Sequence, residues 1–122
     1  MPTVLIADDD SSIREILSIA FEKNGFTVRT AEDGGQAVAA IQEENIDLVI
    51  LDVIMPEKGG LETLLEIRGE HPELKIILIT GKIPTDISPF LNLKNQFKIE
   101  AVFTKPFEIM ELVERAGELI GS

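Results

Sequence analysis

The sequence predicts an α/β domain, a doubly wound parallel sheet with helices packed on both of its faces. Three observations carry that prediction. Short apolar runs alternate with amphipathic segments along the whole chain, and strands spaced by helical segments need right-handed crossovers, which make their sheet parallel. Two of the runs, Leu48–Leu51 and Ile76–Ile79, are apolar at consecutive positions, the pattern of strands covered on both faces. A length of 122 residues suffices for one domain with one core and is too short for two, so residues 1–122 read as a single domain.

The elements follow in order. Val4-Leu5-Ile6-Ala7 is a first strand, too short for a helix and cut off by Asp8-Asp9-Asp10. Ser11 or Ser12 caps a first helix whose apolar residues Ile13, Ile16, Leu17, Ala20 and Phe21 recur at helical spacing; Asp10 reads as a solvated residue near that cap. Asn24-Gly25 ends the helix, because glycine takes the left-handed cap conformation without penalty. Phe26–Thr30 is the second strand, and after Gly34-Gly35 a second helix turns Ala37, Val38 and Ile41 inward. Asp47–Leu51 is the third strand. Leu61, Leu64, Leu65 and Arg68 outline a third helix ending near Gly69, and His71-Pro72 beyond it reads as a solvated loop. Ile76–Ile79 and Ala101–Phe103 are the fourth and fifth strands. Glu108–Ile120 closes the chain as a helix with Met110 (or Ile109), Leu112, Val113, Ala116 and Leu119 inward. Residues 83–100 hold Pro84 and Pro89 and only weak apolar periodicity, so the fourth helix expected there is irregular or broken at Pro89.

Composition removes several function classes. Twenty-two acidic residues against 11 basic ones leave a net charge of −11, which repels phosphate backbones and anionic membrane surfaces. No direct nucleic-acid contact and no membrane association are therefore expected. The absence of cysteine excludes a disulfide framework and a thiolate nucleophile, and a single histidine excludes multi-His zinc sites. Met1-Pro2-Thr3 carries no basic segment of the kind that opens a secretory signal, so a cytoplasmic location is expected.

In an open parallel α/β sheet, chemistry gathers outside the carboxyl ends of the strands. The first strand is followed by Asp8, Asp9 and Asp10, the third by Asp52, the fourth by Thr80-Gly81 and the fifth by Thr104-Lys105-Pro106. Taken alone, the acidic run is also what a helix dipole favours. In register with Asp52 and Lys105 it becomes a cluster: Asp8, Asp9, Asp52 and Lys105 carry a net −2, which one Mg²⁺ would neutralise through hard oxygen ligands. A divalent cation beside lysine and threonine donors is equipment for stabilising a transferring phosphoryl group, and a carboxylate can accept it. Residue types alone leave Asp52 and Asp9 both open as the nucleophile.

These motifs, Asp8-Asp9-Asp10, Asp52-Val53-Ile54-Met55-Pro56 with Gly60, Thr80-Gly81 and Thr104-Lys105-Pro106-Phe107, together resemble the receiver domain of two-component response regulators, over essentially the whole chain. The resemblance implies a flavodoxin-like sheet of five strands in the order 2-1-3-4-5 between two helical layers. It also implies that Asp52 accepts a phosphoryl group from a histidine kinase or phosphotransfer protein. Mg²⁺ would be held by Asp9, Asp52 and the carbonyl of Ile54, with Asp8 acting through water. Thr80 and Lys105 would contact the phosphoryl oxygens, and the Lys105–Pro106 bond would be cis. Partners implied are an output domain or protein partner, engaged through the fourth helix, fifth strand and closing helix, with a homodimer compatible. Such a domain catalyses its own phosphorylation and slow dephosphorylation without being an enzyme in the turnover sense.

The sequence also departs from that family's pattern. The switch position three before Lys105 is Val102 rather than an aromatic residue, with Phe103 beside it on the opposite face. Thr80 and Lys105 stand 25 positions apart, a few more than usual, which points to a remodelled fourth helix. Lys58-Gly59-Gly60 loosens the loop after Asp52. Ile54 and Lys82 occupy positions that tune dephosphorylation, and an apolar Ile54 cannot orient water, so a long-lived phosphorylated state is expected. The alternative function is a phosphate-independent interaction domain of the same fold. A haloacid-dehalogenase-like phosphatase would need an acid where Ile54 stands, and a flavin carrier would need aromatics that a chain without Trp or Tyr lacks.

Overall fold

The structure is a computed structural model and describes residues 1–53, 60–81 and 98–120. Its strands are β1 (Thr3–Ala7), β2 (Thr27–Ala31), β3 (Leu48–Asp52), β4 (Lys75–Thr80) and β5 (Ala101–Thr104). The helices among the described residues are α1 (Ser11–Lys23), α2 (Gly34–Glu43), α3 (Gly60–Glu70) and α4 (Ile109–Ile120). All strands are parallel, in the order β2-β1-β3-β4-β5, so the predicted doubly wound architecture stands. The helix expected over residues 83–100 falls almost wholly outside the described residues. No helix among the described residues is long and apolar enough to cross a membrane.

Every residue of β3 is buried, and alternate side chains serve two cores because successive strand residues face opposite ways. Leu5, Val49, Leu51, Ile76 and Leu78 pack with Ala37, Ile41, Leu64 and Ile67 of α2 and α3. Val4, Ile6, Leu48, Ile50, Ile77 and Ile79 pack with Leu17 and Phe21 of α1 and with Leu112, Val113 and Ala116 of α4. Phe21 meets Phe26 edge to face at 5.0 Å.

Several local expectations are corrected. The cap of α1 is Asp10 rather than Ser11 or Ser12: its carboxylate accepts from the Ser12 N–H at 2.9 Å and, more weakly, from the Ile13 N–H at 3.4 Å. A carboxylate reaches the orphan amides of a first turn as well as a hydroxyl does. In α3 the buried stripe is Gly60, Thr63, Leu64 and Ile67, while Leu65 is 56% exposed. Two apolar stripes one residue apart share Leu64, and helical spacing alone cannot choose between them. The same one-residue rotation puts Ile109 against the core and leaves Met110 51% exposed. Ile16, expected inward, is 48% exposed on α1. Strand boundaries differ from the sequence reading by about one residue, within ordinary boundary variation.

The amino end of the sheet is tied by its own polar groups. The Asp47 carboxylate accepts from the Thr3 N–H at 2.7 Å. Arg68 donates to the carbonyls of His71, Pro72 and Leu74, and burial lowers its pKa. Lys75 donates to the Leu119 carbonyl. His71 is half-buried in this network, and no metal cluster among the described residues includes it.

Candidate functional site

The site is assembled by strand register. Ala7 pairs with Leu51, Asp52 with Ile79, and Thr80 with Thr104, so the residues at or just after the ends of β1, β3, β4 and β5 lie along one edge. Three further backbone bonds extend the ladder past the strands: Asp8 N–H to the Ala31 carbonyl at 3.1 Å, Val53 N–H to Ile79 at 2.9 Å, and Lys105 N–H to Thr80 at 2.8 Å. Gly60 closes this edge against β3, its N–H donating to the Val53 carbonyl at 3.0 Å. A Cβ at Gly60 would lie 2.5 Å from the Val53 Cα, so only glycine allows α3 to start this close to Asp52.

Asp8 and Asp52 are buried at 0% and 3% exposure, Thr80 is equally buried, and Asp9 is exposed. The Lys105 Nζ lies 3.0 Å from Asp8 Oδ2 and 3.2 Å from Asp52 Oδ2, donating to the latter. Asp8 Oδ1 accepts from the Asp10 N–H at 2.9 Å. One carboxylate oxygen from each of Asp8, Asp9 and Asp52 lies within 4.8 Å of the others. Two carboxylates at that separation repel by about 3 kcal/mol at an effective dielectric of about 20. Burial raises the Asp8 pKa above 3.8 and the nearby Asp52 charge adds to the rise, against the opposing Asp10 N–H and Lys105. Burial works against the Lys105 charge, yet the Asp8 and Asp52 carboxylates outweigh it and raise its pKa above 10.5.

The donor set fits a hard divalent cation. Its oxygens come from three carboxylates within 4.8 Å of one another, and Lys105, 3.0 Å from Asp8 Oδ2 and 3.2 Å from Asp52 Oδ2, brings a single positive charge to them. Asp8, Asp9, Asp52 and Lys105 together keep a net −2, which a divalent cation facing these oxygens would neutralise.

Asp8, Asp9, Asp52 and Lys105 are therefore brought together, with Thr80 at the end of the adjacent strand. Ile54 and Lys82 lie outside the described residues. The Lys105–Pro106 peptide bond is cis. Val102 packs toward the α2/α3 side and Phe103 toward the α1/α4 side, where its ring stands edge-on to Phe107 at 6.3 Å. Sequence reasoning passed over Arg14, whose Nη1 donates to the Asp8 carbonyl at 2.7 Å. One signal was present: an arginine near the start of a helix runs against the helix dipole.

A parallel sheet in this order, gathering an acidic triad and a lysine at its carboxyl edge, defines a receiver-type signalling domain. The chain belongs to the response regulator receiver domain family of two-component systems, which it matches over residues 4–117. It is 35% identical over 120 residues to the probable transcriptional regulatory protein TcrX of Mycobacterium tuberculosis (strain ATCC 25618 / H37Rv), covering 97% of this chain and 49% of that protein. It is 32% identical over 120 residues to the response regulator receiver protein CpdR of Brucella abortus (strain 2308), covering 98% of each. The response regulator protein TrrA of Thermotoga maritima, solved in complex with Mg²⁺-BeF, aligns with a TM-score of 0.83 at 34% identity, covering 98% of this chain and 99% of that one. The chain thus spans about half the length of TcrX and nearly all of CpdR.

Proposed function

We propose that this receiver domain accepts a phosphoryl group on Asp52 from the phosphohistidine of a histidine kinase or phosphotransfer protein. The new charge then shifts the surface formed by the segment before β5, β5 itself and α4 to control an output domain or protein partner. The observation that carries this reading is the Lys105 ammonium set between buried Asp8 and Asp52, 3.0 and 3.2 Å from their carboxylate oxygens. Mg²⁺ is the cation proposed for the acidic group, held by Asp9, Asp52 and the Ile54 carbonyl, with Asp8 acting through a water. The Mg²⁺-BeF complex of TrrA supports that choice. When bound, the ion supplies positive charge to the oxygens of the transferring group.

In the transfer, an Asp52 oxygen forms the new bond to phosphorus as the phosphorus–nitrogen bond to the donor histidine breaks. The electron pair leaves with the imidazole, which takes up a proton. Lys105 turns its ammonium to a phosphoryl oxygen, and Thr80 donates its hydroxyl to another. The product carries about −2 on the phosphoryl group, and the attraction of Thr80 draws the loop after β4 inward, biasing a two-state surface in which Val102 and Phe103 take part. The apolar Ile54 leaves attacking water unoriented, so the phosphorylated state is long-lived. A cytoplasmic location completes the reading.

The test is intact mass after incubation with Mg²⁺ and acetyl phosphate, beside Asp52→Ala. Gain of one phosphoryl group by the wild type alone is the expected result. No gain by the wild type would overturn it, and a phosphate-independent interaction domain would take its place.

A further inference from the structure

We propose that Arg14 is a positioning residue that fixes the peptide plane between Asp8 and Asp9, so that both carboxylates face one cation. The inference rests on the reading of the acidic group as a Mg²⁺ site. The Arg14 side chain is only 15% exposed although it carries a full charge. Its Nη1 donates to the Asp8 carbonyl oxygen at 2.7 Å, six residues back. That oxygen belongs to the peptide unit joining Asp8 to Asp9. A peptide unit is planar, so turning it changes Asp8 ψ and Asp9 φ together and swings one carboxylate relative to the other.

The rest of Asp8 is already held. Its N–H donates to Ala31 and its Oδ1 accepts from the Asp10 N–H. Asp9 is exposed and faces like charges on Asp8 and Asp52, so repulsion favours its turning outward. Arg14 opposes that rotation by holding the Asp8 carbonyl. Its Nη2 lies 3.6 Å from Glu32 Oε1 beyond β2, which anchors the guanidinium to the neighbouring connection.

Charge and positioning have opposite signs here, which makes the inference testable. By charge alone, Arg14 repels a second cation, and its removal tightens Mg²⁺ binding. By positioning, its removal loosens the site. Loss of a group that orients metal ligands commonly weakens binding about ten- to a hundredfold, while the Glu32 carboxylate 3.6 Å from the guanidinium offsets part of its repulsion.

The chain has no Trp or Tyr to report binding by fluorescence, so Mg²⁺ is titrated by calorimetry into wild type, Arg14→Met and Arg14→Lys, each melted in EDTA by circular dichroism. Arg14→Met keeps an unbranched apolar stem over the same surface and removes the donor. The expected result is Mg²⁺ binding about tenfold weaker or more in folded Arg14→Met, with Arg14→Lys recovering most of the loss. Wild type that binds Mg²⁺, with Arg14→Met unchanged or tighter, would overturn the proposal alone. Loss of the fold in Arg14→Met would make the residue structural and overturn it as well. Wild type that binds no Mg²⁺ would overturn it together with the metal reading, and the acetyl phosphate experiment tells those cases apart.

Discussion

Asp8→Asn is expected to stabilise the metal-free domain by about 1–2 kcal/mol at neutral pH, although it removes an ion pair. Asp8 is 0% exposed, and its Oδ2 stands 3.0 Å from the Lys105 Nζ. Opposite unit charges that close attract by about 5 kcal/mol at an effective dielectric of about 20. The Asp52 carboxylate, within 4.8 Å, returns about 3 kcal/mol of repulsion on the same scale. The electrostatic surplus is then about 2 kcal/mol, while taking a carboxylate out of water costs several. Burial prevails, in agreement with the raised Asp8 pKa.

The sign follows from that direction. The folded-state pKa lies above the unfolded value, so the stability due to neutral Asp8 is complete below 3.8 and is lost as pH rises through the folded value. The advantage of Asn over wild type therefore vanishes below pH 3.8 and opens as pH climbs. Thermal unfolding followed by circular dichroism in EDTA should put Asp8→Asn about 4–8 °C above wild type at neutral pH. Mg²⁺ at about a hundred times its Kd should then return nearly 3 kcal/mol to wild type and much less to the variant. A lower melting temperature for Asp8→Asn in EDTA would refute the claim that burial outweighs the ion pair.

Two further substitutions probe the frame of the site. Gly60→Ala would drive a Cβ into the Asp52 carbonyl and the Val53 backbone, at a cost of about 2–3 kcal/mol; an unchanged urea midpoint would refute that close approach. Asp10→Ala should cost about 1 kcal/mol by removing the α1 cap, with Asp10→Ser nearly neutral; chemical denaturation of the pair checks it.

Most of the fold was legible because burial on both faces leaves a mark in one dimension. The consecutive apolar residues of Leu48–Leu51 and Ile76–Ile79 became the central strands, buried throughout. The candidate site was legible for a related reason. In a parallel sheet every strand runs the same way, so whatever follows each strand must collect at one edge. Asp8, Asp52 and Lys105 could be paired on paper because strand ends carry that information. Helix rotation was harder to read: Leu65 and Met110 lie one position from residues that pack, and a stripe wide enough to include both gives no phase.

The sequence by itself determined the alternation of elements, their parallel arrangement and the residue types at the carboxyl edge. These depend on local pattern and on the handedness of crossovers, which every such chain shares. Tertiary structure alone decided which carboxylates are buried, that Lys105 stands between Asp8 and Asp52, that Gly60 must lack a side chain, and that Arg14 reaches back to the Asp8 carbonyl. Each depends on distances between residues far apart in the chain or on the course of a turn. Such distances are set when two cores pack against one twisted sheet, and no periodicity records them.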